Sequence, residues 1–304
     1  MKQTILTFII GILFLGNSYG QQFEKSKADS LREEGNLKSA IKEFAGLYKM
    51  DSTNRNNTYD YACALALDRQ IDTAFYYLNV ATANDTSVRA LIDPDLYFLI
   101  EDERWGELQD KLVERVEAKY GKYENPKLSK ELWAMRIKDQ AFYYHIHLAD
   151  KTIGRDSPIL FALWELKKKI NDKNLERIKE IIDTQGWPKK SVVKGSAAST
   201  VFLIIQHSDL ETQKKYLPMM KEAANNDEAS WNSLALLIDR VNLGEGKEQI
   251  YGSQIYRDEE GLFYVKDLME PEYVNQRRNE VGLEPIEDYL KNWGIEWTVE
   301  QKEK

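Results

Sequence analysis

Residues 28–52 read ADSLREEGNLKSAIKEFAGLYKMDS, and residues 62–86 read ACALALDRQIDTAFYYLNVATANDT. At an offset of 34, Ala28 falls on Ala62, Leu31 on Leu65, Ala40 on Ala74, Phe44 on Leu78, Asp51 on Asp85 and Ser52 on Thr86. A fixed period of this length marks stacked helix pairs, each too small to bury its apolar face alone. The side chains suit that reading. Ala40 and Ala74 let helices approach closely, and Phe44 and Leu78 fill the space between them. Leu47 and Ala81 continue the stripe one turn later. Gly35-Asn36 supplies the turn inside the first pair, and Arg69-Gln70 takes that place in the second. A degenerate third unit follows. Asp93-Pro94 starts a helix with Pro at its first position, and Leu96, Leu99, Trp105, Leu108 and Leu112 keep a helical rhythm to about Lys119. This unit reads as a capping pair.

The spacing resembles the tetratricopeptide repeat. It departs from that family where Ser52 and Thr86 replace the proline that often closes each repeat. The resemblance implies a concave face for a protein or peptide partner. With so few repeats, a brace for the next domain is the competing reading. GKYENP, Gly121 to Pro126, breaks the pattern and is the expected domain boundary. The expected organisation is therefore helical repeats over 21–120 and a second domain over 128–304.

That second domain also reads as mostly helical. Leu132, Met135, Asp139, Phe142, Ile146 and Ala149 predict one long helix opened by Ser129, with Asp139 the odd member of its apolar stripe. A second helix from Ser157-Pro158 is interrupted over Asn171 to Asn174 and resumes to Gly186, a fitting C-terminal cap. A third carries Ala197 to His207. Ser208 with Glu211 matches a capping box for a helix from Leu210, and another helix runs from about Glu228 to Leu243, ending at Gly244. The period then changes. Gln249 to Arg257 and Leu262 to Lys266 flank a Gly-containing loop and predict a β-hairpin, followed by two short helices, Glu272 to Val281 and Ile286 to Asn292. The fold class is mainly α, helical hairpins followed by a helical domain with one β-hairpin.

An ordered set of fragments adds a resemblance. Asp139-Gln140, Gly186-Trp187-Pro188, IIQH (Ile204 to His207), LLIDRV (Leu236 to Val241), IYGSQ (Ile250 to Gln254) and RRNEVGL (Arg277 to Leu283) together resemble bacterial domain-of-unknown-function family 6624, over about residues 128–292. Ser253 stands where the family pattern has Thr, and Tyr143 where it has a basic residue. The resemblance implies no activity. It implies only that these polar residues belong to one recurring pattern.

Composition narrows the classes of function. The chain has 304 residues, 42% of them hydrophobic and 30% charged, enough for a sizeable core and a polar surface. A net charge of −8 argues against nucleic acid and against anionic lipid, which need a concentrated basic surface. Lys2, the apolar stretch Ile5 to Leu15 and the small residues of Ser18-Tyr19-Gly20 predict a secretory signal over 1–20, cleaved before Gln21. The apolar stretch falls short of the roughly 20 residues a bilayer span needs. The expected location is exported, periplasmic or secreted, with no membrane insertion after cleavage. Cys63 is the one cysteine, so no intramolecular disulfide forms. Between Ala62 and Ala64 it reads as a buried filler.

The candidate polar pocket comprises Asp139, Gln140, Gln206, His207, Asp239, Arg240, Tyr251, Gln254 and Arg277. His207 is either a general base oriented by Asp239 or Asp139, or an imidazole that finishes a helix. Asp239-Arg240 interrupts the apolar run Leu234 to Ile238. A carboxylate there needs pairing, so it either holds Arg240, Arg277 or His207 in a structural network or is a tuned catalytic group. Gln254 shares a predicted strand face with Gly252 and is a binding contact or the anchor of a bulge. Of Arg277 and Arg278, one is expected simply to face water. His145 and His147, two apart on a helix, point away from each other and form no metal pair. The stretch from Gly195 to Ser199 lacks the nucleophile-elbow spacing, and that from Gly244 to Lys247 lacks the phosphate-loop spacing. No metal or cofactor is expected. Two functions remain open: a protein-binding or scaffold module, and a metal-independent enzyme built on this pocket.

Overall fold

A computed structural model of the chain describes residues 26–258 and 260–303. The expected secretory signal lies outside them. The described residues fall into two compact units, one of 26–180 with 191–200, the other of 181–190 with 201–303.

The first unit opens with two helical hairpins, α1 (Lys27–Glu33) with α2 (Leu37–Met50) and α3 (Arg55–Leu67) with α4 (Ile71–Thr82). The 34-residue period is present in the backbone. Gly35 and Arg69 both take a left-handed conformation, φ 80° and 59°. The Asn36 N–H donates to Leu31 O and the Gln70 N–H to Leu65 O, both at 2.9 Å. Asp51 Oδ1 then accepts from Thr53 N–H at 2.9 Å, and Asp85 Oδ1 from Ser87 N–H at 2.8 Å. Ala40, Ala74, Phe44 and Leu78 are buried between the helices.

The third unit departs from expectation. Asp93 caps Pro94 with its carboxylate on the Asp95 N–H, but the element is a 3-10 segment, Pro94–Leu99. Asp102 Oδ1 then accepts from Arg104 N–H and restarts the chain as α5 (Arg104–Tyr120). Helix α6 (Pro126–Gln140) starts at Asn125, whose side chain accepts from Leu128 N–H, rather than at Ser129. The long helix expected through Ala149 is two helices. Ala141 is extended and Phe142 is left-handed at φ 71°, so the chain breaks and resumes as α7 (Tyr143–Ile153). Helix α8 (Pro158–Gln185) corrects the reading in the opposite sense. It runs 28 residues without interruption. Asn171 and Asn174 turn inward instead of breaking it. Asn174 Nδ2 donates to Met135 O at 3.1 Å, and Asn171 Oδ1 accepts from Lys167 Nζ at 2.9 Å. The unit that begins with the hairpins thus continues past GKYENP. Tyr144 Oη of α7 donates to Arg32 O at 2.5 Å, and a Cβ at Gly35 would lie 2.5 Å from Leu148.

Two helices follow α8, α9 (Lys190–Val193) and α10 (Gly195–Gln206). The second unit continues with α11 (Leu210–Asn225) and α12 (Trp231–Gly244). The capping group of α11 is Asp209, on Thr212 N–H at 2.8 Å, because Ser208 Oγ donates back to Ile205 O instead. The hairpin is present but shorter than expected. Strand β1 (Ile255–Arg257) pairs antiparallel with β2 (Phe263–Val265), Tyr256 facing Tyr264. Residues 249–254 are not part of the strand. Helices α13 (Val274–Glu280) and α14 (Ile286–Lys291) close the unit, and Val274, Ile286 and Leu290 bury with Ile255 in its core. Among the described residues no helix is long and apolar enough to cross a membrane.

Candidate functional site

Irregular backbone inside a core carries unsatisfied polar groups unless side chains reach them. Loop 249–254, reading QIYGSQ, meets that demand largely with side chains. Asp239, fully buried on α12, accepts from three of its amides: Ile250 at 2.7 Å, Tyr251 at 3.0 Å and Ser253 at 2.9 Å. Gln249 Oε1 takes the Gln254 N–H at 2.7 Å, and its Nε2 donates to Gln254 O at 3.1 Å. The carbonyls face the other way. Arg277 Nε donates to Ile250 O at 2.7 Å, Arg278 Nη1 to Tyr251 O at 2.7 Å and Tyr289 Oη to Ser253 O at 2.8 Å. Gln254 Nε2 ties the loop to α12 through Leu236 O at 3.2 Å. Gly252 sits at φ 64°, and a Cβ there would lie 2.8 Å from Ile286 Cδ1. Only glycine fits such a position without strain.

The electrostatics follow from the same arrangement. Burial raises the Asp239 carboxyl above the ordinary carboxylate range, and the amides of Ser253, Tyr251 and Ile250 pull it back toward the charged form. Burial lowers the Arg278 guanidinium, which lies 5.0 Å over the Tyr289 ring. Carboxylate and guanidinium are thus separated by one layer of backbone, whose N–H groups face the anion and whose C=O groups face the cations. This chemistry binds main chain. It fixes a loop and leaves Ile250 and Tyr251 half-buried at its surface.

The expected pocket residues therefore have distinct placements. Asp239, Tyr251, Gln254 and Arg277 come together in the clamp, and the partners of Asp239 there are backbone amides and the Ser253 side chain. Arg278, of which or of its neighbour only solvent contact was expected, is buried and engaged alongside Arg277. Gln206 is buried at the end of α10, where its carbonyl accepts from Gln213 Nε2 at 3.0 Å. His207 follows one residue beyond the helix, half-buried, its N–H shared between Leu203 O and Ile204 O. Arg240 is half-buried next to Asp239 in sequence.

Asp139 and Gln140 lie in the other unit, at the end of α6. Asp139 is fully buried, and Gln140 Nε2 donates to its Oδ2 at 2.6 Å. A lysine missed in the sequence joins them. Lys167, only 1% exposed, donates to Asp139 O and lies 4.6 Å over the Tyr143 ring. Burial pushes its amine down to about 8, against the opposing pull of Asp139. Its place on the inward stripe with Leu160, Leu163 and Asn174 is the signal that could have found it. It gives a partner to a buried main-chain carbonyl in the last turn of α6. Gln249 and Tyr289 were also missed, because long-range bonds to loop carbonyls leave no periodicity.

Among the described residues, one group of side chains has metal-ligand character. Cys63 Sγ and the carboxylates of Asp93 and Asp95 lie within 4.8 Å of one another. Each of these groups has a protein partner. Tyr59 Oη donates to Asp93 at 2.8 Å, Cys63 Sγ approaches the same oxygen at 3.8 Å, and Arg32 Nη1 lies 3.3 Å from Asp95. The guanidinium supplies the positive charge a metal would bring. Burial, then Asp93, pushes the Cys63 thiol well above its usual range, which suits an inert donor.

Residues 126–299 match the model of a family described as "Family of unknown function (DUF6624)". No curated protein and no solved structure matches the chain.

Proposed function

The chain belongs to this family of unknown function, and on that premise we propose that the protein is an exported binding scaffold rather than an enzyme. Its hairpins act as tetratricopeptide-like repeats that recruit a protein or peptide partner. The observation that supports this reading is a tyrosine ledge on α2, α3 and α4. The Tyr77 ring stands 4.9 Å from Tyr48, 4.4 Å from Tyr61 and 5.0 Å from Tyr76. Tyr61 is buried behind the ledge, Tyr48 and Tyr77 are half-buried, and Tyr76 is exposed. Rigid tyrosines of this kind supply contact area at low entropic cost and are enriched where proteins bind one another. The clamp supports the same reading from the other unit, since its polar groups hold main chain.

The test is an overlapping-peptide array probed with the full chain, wild type against a Tyr48→Ser/Tyr76→Ser variant. The reading expects wild type to bind a discrete set of peptides and the variant to bind them at least about tenfold more weakly, with folding intact by circular dichroism. Equal binding by both would remove the ledge from the account. A second reading is favoured by one observation. Buried Lys167 beside Asp139, next to a non-glycine residue held at positive φ in Phe142, resembles the stored strain of a reactive centre. Turnover in an activity screen that is lost in Asp139→Asn would replace the scaffold reading with an enzymatic one.

A further inference from the structure

Residues 295–303 follow α14 without regular structure, yet their burial alternates. Ile295, Trp297, Val299 and Gln301 are half-buried, while Glu296, Thr298, Glu300 and Lys302 are exposed. A period of two belongs to an extended segment with one face on a core. Ile295 and Trp297, with Trp293 before them, pack against the cluster of Ile255, Val274, Ile286 and Leu290. No strand pairs with the segment, since the sheet of the described residues contains β1 and β2 alone. Among the described residues, one main-chain hydrogen bond ties 296–303 to another element, from Lys302 N–H to Glu272 O at 2.7 Å. The segment is seated by its side chains.

Its far end reaches the helix that carries the cations of the clamp. Helix α13 has no capping side chain at its own N-cap. Gln301 Oε1 instead accepts the Asn275 N–H in its first turn at 3.0 Å, and Gln301 Nε2 donates to Pro271 O at 3.0 Å. First-turn amides need such an acceptor, and a helix of 7 residues has little stability of its own. Asn275 passes the contact on. Its Oδ1 accepts the Ile286 N–H at 2.8 Å and its Nδ2 donates to Glu287 at 2.7 Å, which fastens α13 to α14. Arg277 and Arg278 follow on the same helix and hold the carbonyls of Ile250 and Tyr251.

The seat also carries a cost. Trp297 Nε1 is buried and meets no hydrogen-bond partner among the described residues. A buried donor left unpaired offsets part of what burying the indole contributes. Few main-chain bonds and an unpaired donor make this segment a part of the unit that opens by itself.

We infer that residues 295–303 form a strap that latches the cation half of the clamp. Seated, the strap caps α13 and keeps Arg277 and Arg278 on the loop carbonyls. Drawn off, it frees α13 and those carbonyls, while Asp239 on the other side keeps its hold on the loop amides. The half-buried face of Ile250 and Tyr251 is thereby coupled to the strap, and the coupling runs in both directions.

Native-state hydrogen exchange on the full chain tests this. It is read at the Trp297 indole N–H, at the amides of Arg277 and Arg278, and at the core amides of α12. In wild type the indole and the α13 amides are expected to exchange together and faster than α12. Gln301→Met is expected to speed both at least about fivefold, as the loss of a cap does. Arg277→Met is the decisive variant. Its side chain bonds to Ile250, Met269 and Glu270 and not to the strap, yet the latch requires it to speed the indole by a similar factor. Tyr216→Phe, which removes the hydroxyl bonded to Asp183 far from the strap, is expected to leave the indole within about twofold of wild type. An indole that exchanges only with the α12 core overturns the inference, because the strap would then open only when the whole unit unfolds. So does an indole indifferent to Arg277→Met, or α13 amides indifferent to Gln301→Met.

Discussion

Asp239 and Arg278 hold the same residue from opposite sides. Tyr251 donates its N–H to the Asp239 carboxylate at 3.0 Å and receives Arg278 Nη1 on its carbonyl at 2.7 Å. An anion and a cation that never touch are coupled through one peptide layer. The fragments LLIDRV, IYGSQ and RRNEVGL acquire a common meaning from this contact. They are the carboxylate, the loop and the guanidinium of a single clamp. A buried ion of either sign is costly alone, and each finds its compensation in the loop.

The clamp leaves no room for a side chain at Gly252. Gly252→Ala would place a Cβ 2.8 Å from Ile286 Cδ1 on a backbone at φ 64°. Strain and overpacking together are expected to cost about 2–4 kcal/mol, read as a lowered urea midpoint with an unchanged slope. Gly246→Ala, also at positive φ but with nothing within 4 Å, is the control and is expected to cost about 1 kcal/mol.

Asp95 predicts a pH dependence in the first unit. Burial, then the neighbouring Asp93, raises its carboxyl to about 6, against the pull of Arg32. Between 3.8 and about 6 the folded chain binds the proton that the unfolded chain releases. Stability from this group is therefore greatest below that window and falls as pH rises through it, by about 2–3 kcal/mol. Urea unfolding at a series of pH values should show this decline in wild type and a flatter profile in Asp95→Asn.

Lys167 predicts the opposite slope at alkaline pH. Its amine titrates at about 8 when folded and near 10.5 when unfolded. In that interval the unfolded chain binds more protons, so stability contributed here rises with pH, by up to about 3 kcal/mol. The difference between wild type and Lys167→Met, followed from pH 7 to pH 10, isolates the effect. A difference that does not change with pH would mean that the amine is not held in a desolvated setting.

The repeat was legible because its signal is local. Gly35 and Arg69 stand at equivalent turns, and the same i to i+5 hydrogen bonds follow from the same spacing. The hairpin and the order of helices were legible for the same reason. Errors arose where a long-range contact overrode a local preference. Asn171 and Asn174 look like a break, yet Lys167 and Met135 give their amides partners and α8 runs on. Apolar spacing carries smoothly across Ala141 and Phe142, yet the backbone turns there. Asp239 was conspicuous as a carboxylate in an apolar run, but apart from the Ser253 side chain its partners are main-chain amides, which have no identity in a sequence. Arg278 was hidden for a similar reason, since its acceptors are the carbonyls of Glu284 and Tyr251.

Native-state hydrogen exchange at the amides of Ile250, Tyr251 and Ser253 tests the clamp most directly. These amides lie outside any helix or strand, and an ordinary loop would exchange them through small local openings. If Asp239 holds them, they exchange in wild type only as slowly as the core of α12, and in Asp239→Ala they exchange fast while that variant also loses about 3–5 kcal/mol of stability. Fast exchange of the three amides in wild type, or protection that survives Asp239→Ala, would contradict the account.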